Sequence, residues 1–163
     1  MDESPILING TPTPLNGEHR LALADFLRES GINSVHLGCE HGVCGTCNVL
    51  VDGQCVRSCL ALAHACAGSK VVSLEGLQDT LAGSLRAAFT RHHALQCGYC
   101  TPGVFVAAYD LLAEGAPLDE ALVRERLSGN ICRCTGYQGI VEAVLEVAAS
   151  RETAITSPLG EPA

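Results

Sequence analysis

Ten cysteines in a chain of 163 residues fall into two groups, Cys39 to Cys66 and Cys97 to Cys134, with a cysteine-free stretch between them. The first group runs Cys39-x4-Cys44-x2-Cys47, then Cys55, Cys59 and Cys66; the second pairs Cys97-x2-Cys100 with Cys132-x-Cys134. Such a thiol content means either disulfide staples or metal ligands, and the redox compartment decides between them. The opening residues, Met-Asp-Glu-Ser-Pro, lack the basic and apolar regions of a secretory leader. Uncharged runs such as Val104 to Tyr109 fall far short of the ~20 apolar residues that span a bilayer. A cytoplasmic protein without a transmembrane segment is therefore expected, with reduced cysteines acting as metal ligands and spare thiols. Eighteen acidic residues against ten basic ones give a formal net charge of -8, which argues against nucleic acid or an anionic membrane as partner.

Hydrophobic periodicity divides the chain in the same place as the cysteines do. Ile6-Leu7-Ile8 meets Asn9-Gly10, a hairpin turn that needs positive φ, and Leu23, Phe26 and Leu27 mark a short helix over Leu21 to Ser30, stopped by Gly31. Asn48 to Val51, the turn Asp52-Gly53 and Gln54 to Arg57 form a second hairpin, and Val71 to Leu74 supply a further strand. After Gln78 the period becomes helical. Leu81, Leu85, Ala88 and Phe89 mark one helix, and Val104, Ala108, Leu111 and Leu112 a second. Leu118, Ala121 and Leu122 begin a third, and Ile140, Val141, Val144, Leu145 and Ala148 mark a fourth. Four helices with short connections suggest a bundle. Residues 151–163 carry no sustained pattern and are expected to be a loose tail.

The first cysteine group has the spacing of a plant-type 2Fe-2S site. Three ligands can come from one loop only if its backbone curls around the cluster, which Gly38, Gly42 and Gly45 permit. Cys55, Cys59 and Cys66 compete for the fourth position. With Asp52-Gly53 as a two-residue turn, Leu50 pairs with Cys55 and Cys47 with Ser58, which returns Cys59 to the ligand loop. Cys55 would lie three residues along the strand from Cys47, about 10 Å away. Cys59 is therefore chosen, and Cys55 and Cys66 read as buried spare thiols. Cys39-x-His41 has the form of half a Rieske site, but no Cys-x-x-His follows, so His41 reads as a solvent-facing loop residue. Zinc is the weaker competitor, given the four-residue gap and the glycine-rich loop.

The second group offers Cys97, Cys100, Cys132 and Cys134 as a tetrad, each pair ahead of a helix. Thr101 is expected to cap a helix beginning at Pro102, and Thr135 one beginning near Gly136, so that two positive helix ends face one anionic group. Spacing alone leaves this tetrad open between iron-sulfur and zinc.

Gly38-Cys39-Glu-His-Gly-Val-Cys44-Gly-Thr-Cys47, Arg57-Ser-Cys59, Gln96-Cys-Gly-Tyr-Cys-Thr-Pro-Gly103 and Ile131-Cys-Arg-Cys-Thr-Gly-Tyr137, in that order, resemble the iron-sulfur small subunit of the molybdenum hydroxylases, of xanthine dehydrogenase and aerobic carbon monoxide dehydrogenase type. The resemblance implies an α+β chain: a beta-grasp, plant-type ferredoxin domain over residues 1–78, an all-α four-helix domain over 79–150, and a C-terminal tail over 151–163. It implies two 2Fe-2S clusters, the second lying near the molybdopterin of a large partner subunit, approached by Gln96 and Cys134. The first would face a medium, FAD-binding subunit of a heterotrimer. Thr46 and Asn48 stand where Ala and Thr are common, a change expected to adjust hydrogen bonds to sulfur without altering ligation. The chain would carry electrons and catalyse nothing itself. It lacks a Gly-x-Gly-x-x-Gly fingerprint and the length for FAD or molybdopterin domains. An autonomous ferredoxin-like carrier and a zinc-stabilised interaction module are the rival readings.

Overall fold

The computed structural model describes residues 4–156. Five short strands, β1 (Ile6–Ile8), β2 (Thr11–Thr13), β3 (Asn48–Val51), β4 (Gln54–Arg57) and β5 (Lys70–Val72), form one sheet in the order β2-β1-β5-β3-β4. β1 and β5 are parallel and the other neighbours antiparallel. Both expected hairpin turns have two consecutive left-handed residues, Asn9 and Gly10 at φ 49° and 85°, Asp52 and Gly53 at 48° and 85°. β3 and β4 pair Val51 with Gln54, Leu50 with Cys55 and Asn48 with Arg57, the register expected from the turn. The strand expected over Val71 to Leu74 starts one residue earlier and ends at Val72, where Leu74–Gly76 turns into a 3-10 helix.

Helix α1 (Leu23–Glu29) buries Leu23, Phe26 and Leu27 against the sheet and carries no side-chain cap. Its first amides are satisfied by the segment that carries Cys59: Leu23 donates to the Ala61 carbonyl at 2.8 Å and Ala24 to the Ser58 carbonyl at 3.1 Å. The free helix end thus becomes the clamp for that segment.

Helices α2 (Thr80–Arg91), α3 (Thr101–Ala113), α4 (Glu120–Arg126) and α5 (Gln138–Thr156) form the second half of the chain. Asp79 and Asp119 cap α2 and α4, accepting from Ala82 N and Leu122 N at 2.8 Å each. The apolar face at α4 differs from the expected one: Ala121 is exposed, and Val123 and Leu127 are buried instead. The tail expected from residue 151 is also corrected. Val147 and Ala148 remain buried and Arg151 Nη1 donates to the Leu112 carbonyl, which holds this end of α5 against α3, and the helix continues to Thr156. The rest of that tail, 157–163, lies outside the described residues.

β3 is the wall shared by the two halves. Side chains alternate across a strand, so Val49 enters the core formed with α1 while Leu50 enters the core of the helices. Val71 and Val72 on β5 divide in the same way. Asn48, on the Leu50 side, donates to the Gly103 carbonyl in the first turn of α3 at 3.2 Å. The approach there is backbone to backbone: a Cβ on Gly103 would sit 2.0 Å from the Gly45 carbonyl oxygen and 2.8 Å from Thr46 Cα. Gly103→Ala should therefore destabilise the chain by about 1–3 kcal/mol, the usual cost of overpacking. Denaturant unfolding checks this, and a midpoint equal to wild type would refute the close approach.

Candidate metal centres

The Cys39–Cys47 loop leaves β-structure and α-helix behind and curls on left-handed residues. Gly42 and Gly45 adopt φ 76° and 73°, while Gly38 is needed for space, since its Cβ would lie 3.1 Å from Cys44 Sγ. The curl turns amides inward: His41 N and Cys44 N each lie 3.4 Å from Cys39 Sγ, and the Val43 amide faces the same sulfur. These donors pull the Cys39 thiol down to about 6, with His41 contributing most and Cys44 next. Cys59 comes back along β4 to meet Cys47, aided by Ser58, whose hydroxyl donates to the Cys47 carbonyl at 2.6 Å. Burial, then the Cys47 thiol, pushes Cys59 up to about 11, with the Gly42 amide working against them. The four thiols meet two by two, Cys39 with Cys44 and Cys47 with Cys59.

The second group is arranged in the same way. Cys134 Sγ lies 3.5 Å from Cys97 Sγ, and Cys100 meets Cys132. Cys97 and Cys134 are exposed while Cys132 is buried. Burial, followed by the neighbouring Cys132, pushes Cys100 up to about 12. Burial works to raise Cys132 as well, but the Thr135 hydroxyl 3.1 Å from its sulfur, with the Thr135 and Cys134 amides, brings it below its ordinary value. The Cys97 thiol beside it raises Cys134.

Neither threonine caps a helix as expected. The chain enters α3 one residue early, with Cys100 at the cap position and already helical, because the left-handed Gly98 lets the Thr101 amide reach the Gly98 carbonyl at 3.2 Å. Gly136 and Tyr137 both have positive φ, which delays α5 to Gln138 and leaves Thr135 Oγ1 to accept from Tyr137 N at 3.1 Å. Thr101 Oγ1 is buried with no partner among the described residues. It is the kind of donor that a buried sulfur acceptor next to Cys100 would satisfy.

The remaining cysteines stand apart from both groups. Cys55 lies opposite Leu50 and is pushed up to about 11 by burial, reinforced by the Asp110 carboxylate, while Cys66 is buried in the core beside α1. His41 is exposed, as expected. Thr46 donates to the His36 carbonyl at 3.0 Å and its hydroxyl lies 3.3 Å from Cys44 Sγ, so this position does reach sulfur. Asn48 instead bonds the Gly103 carbonyl and the Arg57 guanidinium.

The two groups are joined by contacts that carry no local sequence signal. Ile131 N donates to the Cys44 carbonyl at 2.8 Å, tying the residue before Cys132 to a thiol-bearing residue of the first group. Asn130 Nδ2 donates to the Gly45 carbonyl at 3.3 Å. The Tyr99 ring stacks on His36 at 4.7 Å between centroids, its hydroxyl donating to the Leu37 carbonyl at 2.8 Å. Exposed apolar side chains flank the thiols, Val43 and Leu60 beside the first group and Leu95, Tyr99 and Ile131 beside the second, among exposed polar ones, Glu40, His41, Gln96 and Arg133.

Four thiols that meet in two pairs, with amides aimed at sulfur and glycines clearing the space, suit a two-iron core in which each iron takes one pair. Among the described residues no three His, Cys, Asp or Glu side chains close around a single ion. No helix is long and apolar enough to cross a membrane.

Comparison with known proteins agrees with this chemistry. Residues 6–72 match the family described as 2Fe-2S iron-sulfur cluster binding domain, and residues 73–145 the 2Fe-2S binding domain family. The chain is 49% identical over 146 residues to the nicotine 6-hydroxylase small subunit of Paenarthrobacter nicotinovorans, covering 88% of each. It is 44% identical to the xanthine dehydrogenase iron-sulfur-binding subunit of Escherichia coli, over 85% of this chain and 89% of that one. Among solved structures, quinoline 2-oxidoreductase from Pseudomonas putida 86 superposes with a TM-score of 0.85 at 43% identity, covering 94% of this chain and 96% of the matched chain. Aldehyde oxidoreductase from Desulfovibrio gigas gives the same TM-score at 35% identity, with 97% of this chain matching 18% of the larger one. Thiol geometry, ordered 2Fe-2S domains and near-complete coverage of small subunits together make the chain a member of the molybdenum hydroxylase iron-sulfur subunit family.

Proposed function

We propose that Cys39, Cys44, Cys47 and Cys59 hold one 2Fe-2S cluster and Cys97, Cys100, Cys132 and Cys134 a second, in a chain that relays electrons between two partner subunits. The observation that carries this reading is the gathering of eight thiols into two groups, with Cys134 Sγ 3.5 Å from Cys97 Sγ in the second, the groups being joined by the bond from Ile131 N to the Cys44 carbonyl. When bound, a 2Fe-2S cluster takes up and releases one electron at a time. The Cys39 loop supplies inward amides that favour the more negative, reduced state, and Thr135 does the same at Cys132. From Cys132 to Cys44 the route is Ile131 and its N–H···O=C bond, with no solvent gap to cross.

The exposed end of the second centre, with Gln96, Cys97 and Cys134 inside the Leu95, Tyr99 and Ile131 rim, is the face for a molybdopterin-binding large subunit. The first centre, rimmed by Val43 and Leu60, faces the acceptor, an FAD-binding medium subunit in a cytoplasmic heterotrimer. Named relatives described as nicotine hydroxylase and caffeine dehydrogenase subunits favour an N-heterocyclic substrate for the complex, bound in another chain. The beta-grasp unit is assigned to residues 1–78 and the four-helix unit begins at 79.

Iron and acid-labile sulfide should be present in equal amounts, with two distinct EPR signals on reduction; a colourless zinc protein would overturn the assignment. Cys59→Ser should abolish or displace one signal while Cys55→Ser retains both, and the reverse result would transfer the fourth ligand to Cys55. The metal-free chain offers a pH test of the same loop. Cys39, ionised above about 6, should be alkylated faster than Cys59 at neutral pH, slowing as pH falls through that value, whereas Cys59 stays slow until about 11. Peptide mapping after brief iodoacetamide treatment reads this out, and equal labelling of the two would contradict it.

A further inference from the structure

Arg57 closes β4 two residues before Cys59, and its guanidinium is shared among three places. Nε donates to the Gly42 carbonyl at 3.2 Å, Nη2 to the Gly129 carbonyl at 2.7 Å, and Nη1 to Asn48 Oδ1. Gly42 lies inside the first ligand loop, Asn48 directly after Cys47, and Gly129 three residues before Cys132. The space for the second contact is reserved: a Cβ on Gly129 would stand 2.6 Å from Nη2.

A trans peptide is planar, with its carbonyl and amide pointing in opposite directions, and no peptide among the described residues is cis. Holding the Gly42 carbonyl outward therefore turns the Val43 amide of the same peptide inward, where it faces Cys39 Sγ. All three acceptors are uncharged oxygens, so these contacts leave the positive charge of Arg57 beside the loop uncancelled. A cation and an aimed amide both favour the reduced cluster, which carries one more negative charge.

We infer that Arg57 is a positioning residue for both centres: it aims the Val43 amide at the Cys39 sulfur and keys the Cys132 loop to the Cys44 loop through Gly129. The inference rests on the relay reading above. A single fork reaching three acceptors is something a lysine ammonium on a flexible stem does not reproduce.

The test uses the full chain with its clusters loaded, followed by EPR-monitored redox titration of Arg57→Met, Arg57→Lys and Gly129→Ala. Arg57→Met should shift the first centre to lower potential, move the second less, and weaken the magnetic coupling between the two reduced centres. Arg57→Lys should restore part of the potential, through its charge, but not the coupling. Wild-type potentials in Arg57→Met, or complete rescue by lysine, would overturn the inference. Should Arg57→Met fail to retain iron, Gly129→Ala decides, because it leaves the charge in place and displaces only the Nη2 contact. Loss of coupling with a near-normal first potential is expected, and unchanged coupling refutes the inference. A wild-type chain lacking iron and sulfide would refute the relay itself, and that assay precedes every variant.

Discussion

The hydrogen bond from Ile131 N to the Cys44 carbonyl fixes how the two halves of this chain must meet. It requires the backbone before Cys132 to lie directly on the backbone of the first thiol loop, so no side chain can stand between the two backbones at that point. Gly45 and Gly103 meet that requirement, and Asn48 and Asn130 bridge the gap that the glycines leave. β3 supports the same seam from behind, with Val49 committed to one core and Leu50 to the other. The two domains are consequently one packed body at the point where the thiol groups approach each other.

Within each group the electrostatics follow the same plan. One thiol in each is favoured as thiolate by directed donors, Cys39 by amides and Cys132 by Thr135, while burial raises another, Cys59 in the first group and Cys100 in the second. Thiolate is the form that binds iron. The Cys39 sulfur, brought down to about 6 by its amides, would offer a thiolate to iron at neutral pH. The same amides would face the cluster sulfurs once a cluster is bound, so assembly and redox tuning would draw on one set of groups.

The exposed apolar side chains beside each group bear on partners. Val43, Leu60, Leu95, Tyr99 and Ile131 are exposed in the segments next to the thiols, on a chain whose overall balance is acidic. Covering such rims excludes water from the sulfurs and shortens the distance over which an electron must travel.

Local spacing was sufficient to read the hairpins, α1 and the helical second half, because each depends on residues a few positions apart. The Asp52-Gly53 turn alone set the register that brings Cys59 to Cys47. The caps at Thr101 and Thr135 and the face of α4 were misread, since positive φ at Gly98, Gly136 and Tyr137 shifted the helix starts and tertiary packing selected Val123. His36, Tyr99 and Asn130 gave no signal of their role: their partners lie 63, 63 and 85 residues away. Arg57 likewise reaches Gly129 across 72 residues. The sequence by itself determined two cysteine groups, their order and the elements that carry them, through turn chemistry and periodicity. Only the tertiary structure decided how those groups pair and how one loop is keyed to the other, because backbone-to-backbone contact between distant segments leaves no periodic trace in a chain.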